Sequence, residues 1–222
     1  DYFIASTIFR IFSLNTGLYW LDNENNWHDI TPTLDNDSHI EAVFFLNNQL
    51  GWVVSSYWLD NIKNYELDTT HDGGYSWNIL GIDNTSHNQI LSDVSVFQMQ
   101  WINEKVGKLL FKEQTGSNFS MGTFLLTEDG GLSWESSNSP SAEPFKFDNE
   151  RLGYLRGING STLYLTSDGG LSWREFDEEI DISVVYSNMS FSLPEFTDNG
   201  FGLLPVIEEQ SNSSLKVIVL AT

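Results

Sequence analysis

One eight-residue pattern, T-x-D-G-G-x-S-W, occurs three times in this chain, at residues 70–77, 127–134 and 166–173. Each copy lies between two short runs rich in apolar and aromatic residues. Because glycine readily adopts the positive φ of tight turns, Asp-Gly-Gly between two such runs predicts a β-hairpin. The aspartate can accept hydrogen bonds from turn N–H groups or the nearby serine hydroxyl, and the tryptophan can pack over the hairpin. We call these three segments the octamer turns.

A second feature recurs ahead of each octamer turn: a glycine preceded by an apolar residue, with Asn or Asp four positions before the glycine. The instances are Asn47 with Gly51, Asn103 with Gly107, Asn149 with Gly153 and Asp198 with Gly202. Apolar runs flank each instance on both sides. One unit therefore consists of a strand, an Asn turn, a second strand, a variable loop, a third strand, an octamer turn and a fourth strand. This order predicts a repeated four-stranded meander.

The two ends of the chain fit the same unit in altered form. Asp22 and Trp27 have the spacing of Asp72 and Trp77, with residues 23–26 (Asn-Glu-Asn-Asn) in place of Gly-Gly-x-Ser. Asn is the residue next best suited to positive φ after glycine, so a turn is expected here too. At the other end, residues 215–222 fit a third strand whose octamer turn would follow Thr222. Residues 2–5 are then left over as a strand without a hairpin partner.

A repeated meander whose sheet edges are covered by radial packing predicts an all-β fold, a β-propeller of four-stranded antiparallel blades. We expect a single domain over residues 1–222, with five blades and no helix longer than a turn or two. The alternative is a longer propeller from which blades are missing. The predicted blades span approximately 8–30, 39–80, 92–137, 143–176 and 186–222, with residues 1–7 completing the last blade and closing the ring.

In the octamer turns the sequence resembles the BNR or Asp-box repeat proteins, whose consensus is close to S/T-x-D-x-G-x-T/S-W. The longer unit, with Gly-Trp-Val-Val at residues 51–54, looks like the photosystem II stability/assembly factor branch of that group. The resemblance covers most of the chain, from about Val43 to Trp173 in full units. In the resembling families the Asp box lies on the blade periphery and is structural, so catalysis is not expected from it. The residues to which this applies are Asp22, Trp27, Asp72, Trp77, Asp129, Trp134, Asp168 and Trp173.

The resemblance implies a non-enzymatic scaffold that binds a partner. The photosystem factors carry an Arg-rich face, whereas this chain has four arginines, Arg10, Arg151, Arg156 and Arg174. That particular partner is therefore not implied. We expect a protein or carbohydrate partner, bound by the loops of one face.

The charge of the chain limits its partners, because 31 acidic residues stand against 10 basic ones and the formal net charge is −21. Nucleic acid binding requires Lys and Arg to replace counterions, so such a partner is excluded. Anionic membrane surfaces are disfavoured for the same reason, and no apolar run approaches the roughly 20 residues that span a bilayer. The chain has no Cys and hence no disulfide or thiolate metal site. We expect an acidic, secreted or cell-envelope monomer.

An enzyme of sialidase-like architecture, a glycoside hydrolase, is the alternative function. Sialidases are described as using three arginines around the substrate carboxylate and a Phe/Tyr-Arg-Ile-Pro motif. Residues 9–12 (Phe-Arg-Ile-Phe) match three of these four positions. The number of arginines that converge on one pocket separates the two functions: three indicate the enzyme, and none or one indicates the scaffold.

No cofactor is expected, and calcium is kept as the one alternative. Residues 22–26 and 35–37 are rich in side-chain oxygen atoms but lack the glycine and the distal bidentate glutamate of an EF-hand. The four histidines are scattered, and none has a second histidine at i+2 or i+4. The simpler interpretation of residues 22–26 and 35–37 is that both are solvated loops.

The richest candidate binding segment is residues 55–65, a predicted loop between the second and third strands of its blade. Exposed Tyr and Trp side chains are typical of interface hot spots and of sugar-stacking platforms. The predicted ligand-binding residues are Tyr57, Trp58, Asp60 and Tyr65. The alternative is that these aromatic residues pack against a neighbouring blade.

Overall fold

The computed structural model describes residues 4–6, 11–14, 16–34, 37–82, 94–113, 121–160, 162–176, 189–196, 202–209 and 215–221. Within these ranges the chain forms β-strands and one single-turn 3-10 helix, Ile158–Gly160, and no α-helix. The predicted all-β fold with antiparallel four-stranded sheets is confirmed.

The described strands form five sheets, four of which follow the chain in simple order. The first sheet contains β1 (Ile4–Ser6), β2 (Ile11–Leu14), β3 (Gly17–Leu21) and β4 (Trp27–Asp29). The second contains β5 (His39–Phe45), β6 (Gly51–Leu59), β7 (Ile62–Thr70) and β8 (Asn78–Ile79). The third contains β9 (Val94–Trp101), β10 (Gly107–Glu113), β11 (Gly122–Thr127) and β12 (Glu135–Ser139). The fourth contains β13 (Phe145–Phe147), β14 (Gly153–Arg156), β15 (Leu163–Thr166) and β16 (Arg174–Glu175).

The fifth sheet contains β17 (Met189–Phe191), β18 (Glu195–Phe196), β19 (Gly202–Glu209) and β20 (Leu215–Ala221). Both β17 and β18 pair with β19, at residues 206–208 and 202–203. Since β20 pairs with β19 over residues 203–209, β17 and β18 share the other edge. They form one interrupted strand, so this sheet has three strand positions.

The N-terminal strand differs from the sequence prediction. Residues 1–7 were expected in the last blade, but Ile4, Ala5 and Ser6 pair with Ser13, Phe12 and Ile11 of β2. The first sheet therefore has four strands and begins at Ile4 rather than at residue 8. Pairing with β2, the next strand in the sequence, loses less chain entropy than pairing with a strand at the far end of the chain, which explains the local partner.

The chain divides into two compact units, residues 1–114 with 124–136 and residues 115–123 with 137–222. In the first unit, Ile11, Leu18 and Val53 belong to a core cluster between the first and second sheets. A larger cluster joins the second and third sheets, where the Trp52 and Trp101 rings stack with centroids 4.0 Å apart. Because β6 has a packed sheet on each face, its first six residues are all buried.

The second unit has its own core, between the fourth and fifth sheets. Its buried members are Tyr154, Leu163, Leu204 and Val206, against which Phe191 also packs.

Candidate functional site

The three octamer turns share one hydrogen-bond network. In the first, Asp72 Oδ1 accepts bonds from Ser76 N at 2.9 Å and Thr70 Oγ1 at 2.8 Å. Its Oδ2 accepts one from Ser76 Oγ at 2.6 Å, and Thr70 Oγ1 accepts one from Gly74 N at 2.8 Å. The corresponding atoms of the turns at Asp129 and Asp168 make the same contacts at 2.5–3.0 Å.

These aspartates act as ionised acceptors. The hydroxyl and N–H of Ser76 and the hydroxyl of Thr70 lower the pKa of Asp72 to about 2. The hydroxyl and N–H of Ser133 likewise lower the pKa of Asp129. A carboxylate held in this way stabilises a turn and is a poor proton donor at neutral pH.

The octamer turns are also bonded to the Asn turns of the same sheets. Asn47 Oδ1 accepts bonds from Gln49 N and Leu50 N, and the Gln49 carbonyl accepts a bond from Gly73 N at 2.8 Å. The equivalent bonds run from Gly130 N to Lys105 O and from Gly169 N to Arg151 O, both at 2.9 Å. The two sequence repeats therefore form one structural unit at one end of the second, third and fourth sheets, a link that sequence reasoning did not identify.

The recurring Gly that follows each Asn turn has no side chain, and an aromatic ring occupies the space that a Cβ atom would take. A Cβ atom at Gly51, Gly107 or Gly153 would come within 2.6–2.8 Å of the rings of Phe45, Trp101 and Phe147 respectively. The octamer tryptophan of the same sheet packs edge to face against each of these rings. The pairs are Phe45 with Trp77 at 6.2 Å, Trp101 with Trp134 at 6.2 Å and Phe147 with Trp173 at 5.9 Å between centroids.

The altered turn at Asp22 keeps the aspartate and loses the threonine. Asp22 Oδ1 accepts bonds from Glu24 N and Asn26 N, each at 2.8 Å, and Oδ2 lies 2.9 Å from His28 Nε2. Asn25 adopts a φ of +64°, as the sequence predicted for this asparagine-rich segment. Trp27 packs edge-on to Phe12 at 4.8 Å but is largely exposed.

Each octamer turn also contacts the preceding sheet. The contact is always made by the residue three positions after the tryptophan of that sheet's own turn, and these residues are Ile30, Leu80 and Ser137. Trp77 Nε1 donates to the Ile30 carbonyl at 2.8 Å. A Cβ atom at Gly131 would lie 3.4 Å from Leu80 Cδ1, and Ser137 Oγ donates to the Gly170 carbonyl at 2.9 Å. The octamer turn is thus a contact between sheets as well as a hairpin turn.

The predicted loop at residues 55–65 is instead the end of a long β-hairpin. Asp60 and Asn61 both have positive φ, +53° and +63°, the signature of a two-residue type I′ turn. The inner strand β5 pairs with β6 only as far as Ser56, and β8 pairs with β7 only at residues 68 and 69. Residues 57–64 therefore project from the second sheet as a two-stranded ribbon, which we call the tip ribbon.

The structure places the four predicted ligand residues differently. Trp58 is 59% exposed and Asp60 is exposed, while Tyr57 is half-buried. Tyr65 is 3% exposed and packs edge-on to Phe111 with centroids 5.3 Å apart, as the alternative interpretation expected. Burial, aided by the nearby Glu41 carboxylate, raises the pKa of Tyr65.

The two faces of the tip ribbon differ. Trp58 lies opposite Lys63, whose Nζ is 2.7 Å from Glu41 Oε1 and 5.2 Å from the centroid of the Tyr65 ring. On the other face Leu59 pairs with Ile62, and both are more than half exposed. Sequence reasoning missed Leu59 and Ile62. The available signal was their position on either side of the Asp-Asn dipeptide.

The described arginines do not converge. Arg156 is the last residue of β14, whereas Arg151 lies in the turn before that strand, where its Nε donates to the Ser167 carbonyl at 3.2 Å. Arg174 is exposed at the start of β16. Arg10, in the predicted Phe-Arg-Ile motif, lies outside the described residues.

Among the described residues no group of three or more histidine, aspartate or glutamate side chains is placed to hold a metal ion. Asp22 and its surrounding residues are described, whereas Asp35 and Asn36 are not. No helix in the described ranges is long and apolar enough to cross a membrane.

Searches of protein-family models and of curated proteins give no match. Among solved structures, a GH74 enzyme from Niastella koreensis aligns with 99% of this chain at a TM-score of 0.58 and 15% identity. The aligned part is 35% of that enzyme, so this chain spans about a third of its length. YCF48 from Cyanidioschyzon merolae aligns with 97% of this chain and 93% of its own at 12% identity, with a TM-score of 0.31. That second score establishes no shared fold.

The antiparallel four-stranded sheets and the likeness to the GH74 structure define the class of fold, a β-propeller. An identity of 15% extends the likeness to the fold alone.

Proposed function

We propose that this chain is a non-enzymatic β-propeller module, resembling the Asp-box scaffolds, that binds a partner through its tip ribbon. The observation that carries the proposal is the exposure of Trp58, Leu59 and Ile62 on a hairpin that projects from its sheet. A partner protein is favoured over a glycan, because the apolar side chains occupy both faces of the ribbon. A sugar ring stacks on the face of a single aromatic side chain, whereas a cleft in a protein can enclose both faces of the ribbon.

The ribbon is a suitable contact element because its backbone is already ordered. A two-residue type I′ turn and a continuous register from Leu59–Ile62 to Ser56–Tyr65 fix its conformation. Large side chains on a rigid element lose little entropy on binding, which favours affinity. Lys63 is held between Glu41 and the Tyr65 ring, so the base of the ribbon is also fixed.

The environments of the carboxylates and arginines support a scaffold over an enzyme. The octamer aspartates are engaged as turn acceptors. Asp68 has a pKa raised to about 7, in the range of a general acid, but only 2% of its surface is exposed. A catalytic acid must come within hydrogen-bond reach of its substrate, which this burial prevents.

The test is quantitative affinity capture from an extract of the source organism, with the wild-type chain and three variants. Trp58→Ser and the double variant Leu59→Ser/Ile62→Ser alter the two faces of the ribbon separately. Tyr75→Ser is the matched control, because Tyr75 is an equally exposed aromatic residue in an octamer turn of the same sheet.

We expect one protein to be captured by the wild type and by Tyr75→Ser and to be lost from both ribbon variants. Binding of the purified protein to the wild type should then be measured directly. Equal capture by all four forms would contradict the proposal. Loss of binding in Trp58→Ser alone, together with retention on a glycan array by the double variant, would assign a carbohydrate partner instead.

A further inference from the structure

The sequence contains three Asp-Gly bonds, and all three lie in the octamer turns, at Asp72, Asp129 and Asp168. Aspartate followed by glycine is the pair that isomerises most readily, because glycine has no side chain to hinder attack of its nitrogen on the preceding carboxyl group. Asp72 and Asp129 are exposed and Asp168 is half-buried, so solvent reaches all three. The octamer turns therefore carry sites for a spontaneous covalent change of the backbone.

This change has two balanced steps and consumes only water. The glycine nitrogen bonds to the aspartate Cγ, and the hydroxyl of the protonated carboxyl group leaves as water with the amide proton. Water then adds to the backbone carbonyl carbon of the resulting succinimide ring, and the bond from that carbon to the glycine nitrogen breaks. The product, isoaspartate, continues the chain through Cγ. The first step requires a glycine nitrogen that can give up its proton and a carboxyl group that can turn towards it.

The glycine nitrogen of each octamer turn is held by the Asn turn of the same sheet. Gly73 N donates to the Gln49 carbonyl at 2.8 Å. The equivalent pairs, both at 2.9 Å, are Gly130 N with Lys105 O and Gly169 N with Arg151 O. The accepting carbonyl keeps the proton on the nitrogen and fixes the orientation of the peptide group. A glycine nitrogen held in this way is a poor nucleophile.

The carbonyl that accepts this bond is positioned by an asparagine side chain. Asn47 Oδ1 accepts bonds from Gln49 N at 2.9 Å and from Leu50 N at 2.8 Å. Asn103 and Asn149 accept equivalent pairs of bonds at 2.9–3.0 Å. Without the asparagine side chain the Asn turn loses two hydrogen bonds and opens more often, which releases the glycine nitrogen.

The carboxyl group of each aspartate is held from the other side. Both oxygens of Asp72 accept bonds, from Thr70 and Ser76, and these must break before Cγ can turn towards Gly73 N. The same bonds lower the pKa of Asp72 to about 2, so the protonated form that loses water is scarce at neutral pH. The two reacting groups are thus held by different parts of the structure.

We propose that each octamer turn is a latent site of isoaspartate formation and that the Asn turn of the same sheet keeps it unreacted. The Asn turn acts on the glycine nitrogen, through a carbonyl that the asparagine side chain positions. The same pairing occurs in the second, third and fourth sheets, so the protection is a property of the repeat. It involves no residue of the tip ribbon and does not depend on the function proposed above.

The test is the rate of isomerisation at each of the three aspartates in the full chain, incubated at neutral pH in water enriched in oxygen-18. Each hydrolysed succinimide acquires the label, and peptide mapping by mass spectrometry separates the three sites. The wild type in guanidinium chloride gives the rate of the unprotected chain. Asn47→Ala removes the acceptor from one Asn turn, Asn47→Asp keeps an acceptor there, and Asn149→Ala repeats the removal in the fourth sheet.

In the folded wild type we expect all three sites to react at least about tenfold more slowly than in the denatured chain, because reaction requires local opening. Asn47→Ala should accelerate the reaction at Asp72 about tenfold, since its Asn turn loses two hydrogen bonds, and should leave Asp129 and Asp168 unchanged. Asn149→Ala should accelerate the reaction at Asp168 alone. Asn47→Asp should keep the wild-type rates. In every variant the two distant sites are the control for general unfolding.

Three outcomes would overturn the proposal. The first is a wild-type rate that is the same in the folded and the denatured chain. The second is equal acceleration of all three sites in both Asn47→Ala and Asn149→Ala, which would show that only the folded state as a whole protects them. The third is an unchanged rate at Asp72 in Asn47→Ala together with acceleration in Ser76→Ala, which would assign the protection to the bonds of the carboxyl group alone.

Discussion

The carboxyl group of Asp68 lies inside the second sheet, opposite Val53 on β6 and Ile79 on β8. Its Oδ2 has no hydrogen-bond partner in the structure. Burial, and secondarily the charge of Glu66, raises the pKa of Asp68 to about 7. The pKa values of the octamer aspartates shift in the opposite direction, and that of Asp72 is lowered to about 2. Residue type alone therefore does not assign the role of an acid in this chain.

Asp68→Asn is expected to change how stability depends on pH. The unfolded chain ionises Asp68 near pH 4 and the folded chain near pH 7. The folded state thus binds more protons between these values, and its stability falls as the pH rises from about 4 to about 7. The neutral amide removes this penalty, so the variant should be more stable than the wild type at pH 8, by up to about 4 kcal/mol.

The measurement is chemical denaturation of both proteins at pH 4, 6 and 8. Near pH 4 the two should have similar free energies of unfolding, since Asp68 is then protonated in the folded wild type. A difference that is the same at all three pH values would show that Asp68 does not titrate in this range.

At the scale of single elements, the sequence specified the turns well because turn chemistry is local. The positive φ at both glycines of each octamer and at Asn25 follows from residue type. The sequence could not specify the tip ribbon in the same way. Residues 55–66 mix polar and aromatic side chains without a clear alternation, and the Asp60–Asn61 turn is a weaker signal than Asn-Gly or Asp-Gly. The burial of Tyr65 could not be predicted from its own segment either, because it depends on contact with Phe111 from another sheet.

The contact between an octamer turn and the preceding sheet makes a prediction at this scale. Gly74 has a φ of +95°, and a Cβ atom there would lie 2.8 Å from the β-carbon of Ile30. Gly81 has a φ of +68° and would place its Cβ in open space, with nothing within 4 Å. Alanine at either position incurs backbone strain of about 1–2 kcal/mol. Only Gly74→Ala adds a steric conflict with the first sheet, which we expect to cost a further 1–3 kcal/mol or so.

The two variants are compared by chemical denaturation, and the difference between them isolates the contact with Ile30. Gly74→Ala should cost less in an Ile30→Ala background than in the wild type, because that background lacks Ile30 Cδ1 and Cγ1, which would lie 3.0 and 3.3 Å from the new methyl group. Equal destabilisation by Gly74→Ala and Gly81→Ala would mean that the turn carries no packing against the preceding sheet.

At the scale of the whole molecule, the sequence predicted repeated four-stranded sheets but assigned one strand to the wrong partner. The octamer and Asn turns specify which strands form hairpins, and these are local pairings. Nothing in residues 2–5 themselves indicates whether their partner is the next strand or a distant one, because an apolar strand of this length fits either edge. The choice depends on the entropy of chain closure, which favours β2.

Deletion of residues 1–6 tests that pairing. β1 covers one edge of β2 through the partners Ile4–Ser13 and Ser6–Ile11. Its removal should expose that edge, lower the melting temperature and increase self-association, because an unpaired strand edge is a template for other chains. Native-state hydrogen exchange locates the effect: amides of β2 should lose protection, whereas amides of β19 paired with β20 should keep theirs. Loss of protection in β20 with β2 unaffected would instead place the N-terminal strand in the fifth sheet, and unchanged protection in both would make it a free terminus.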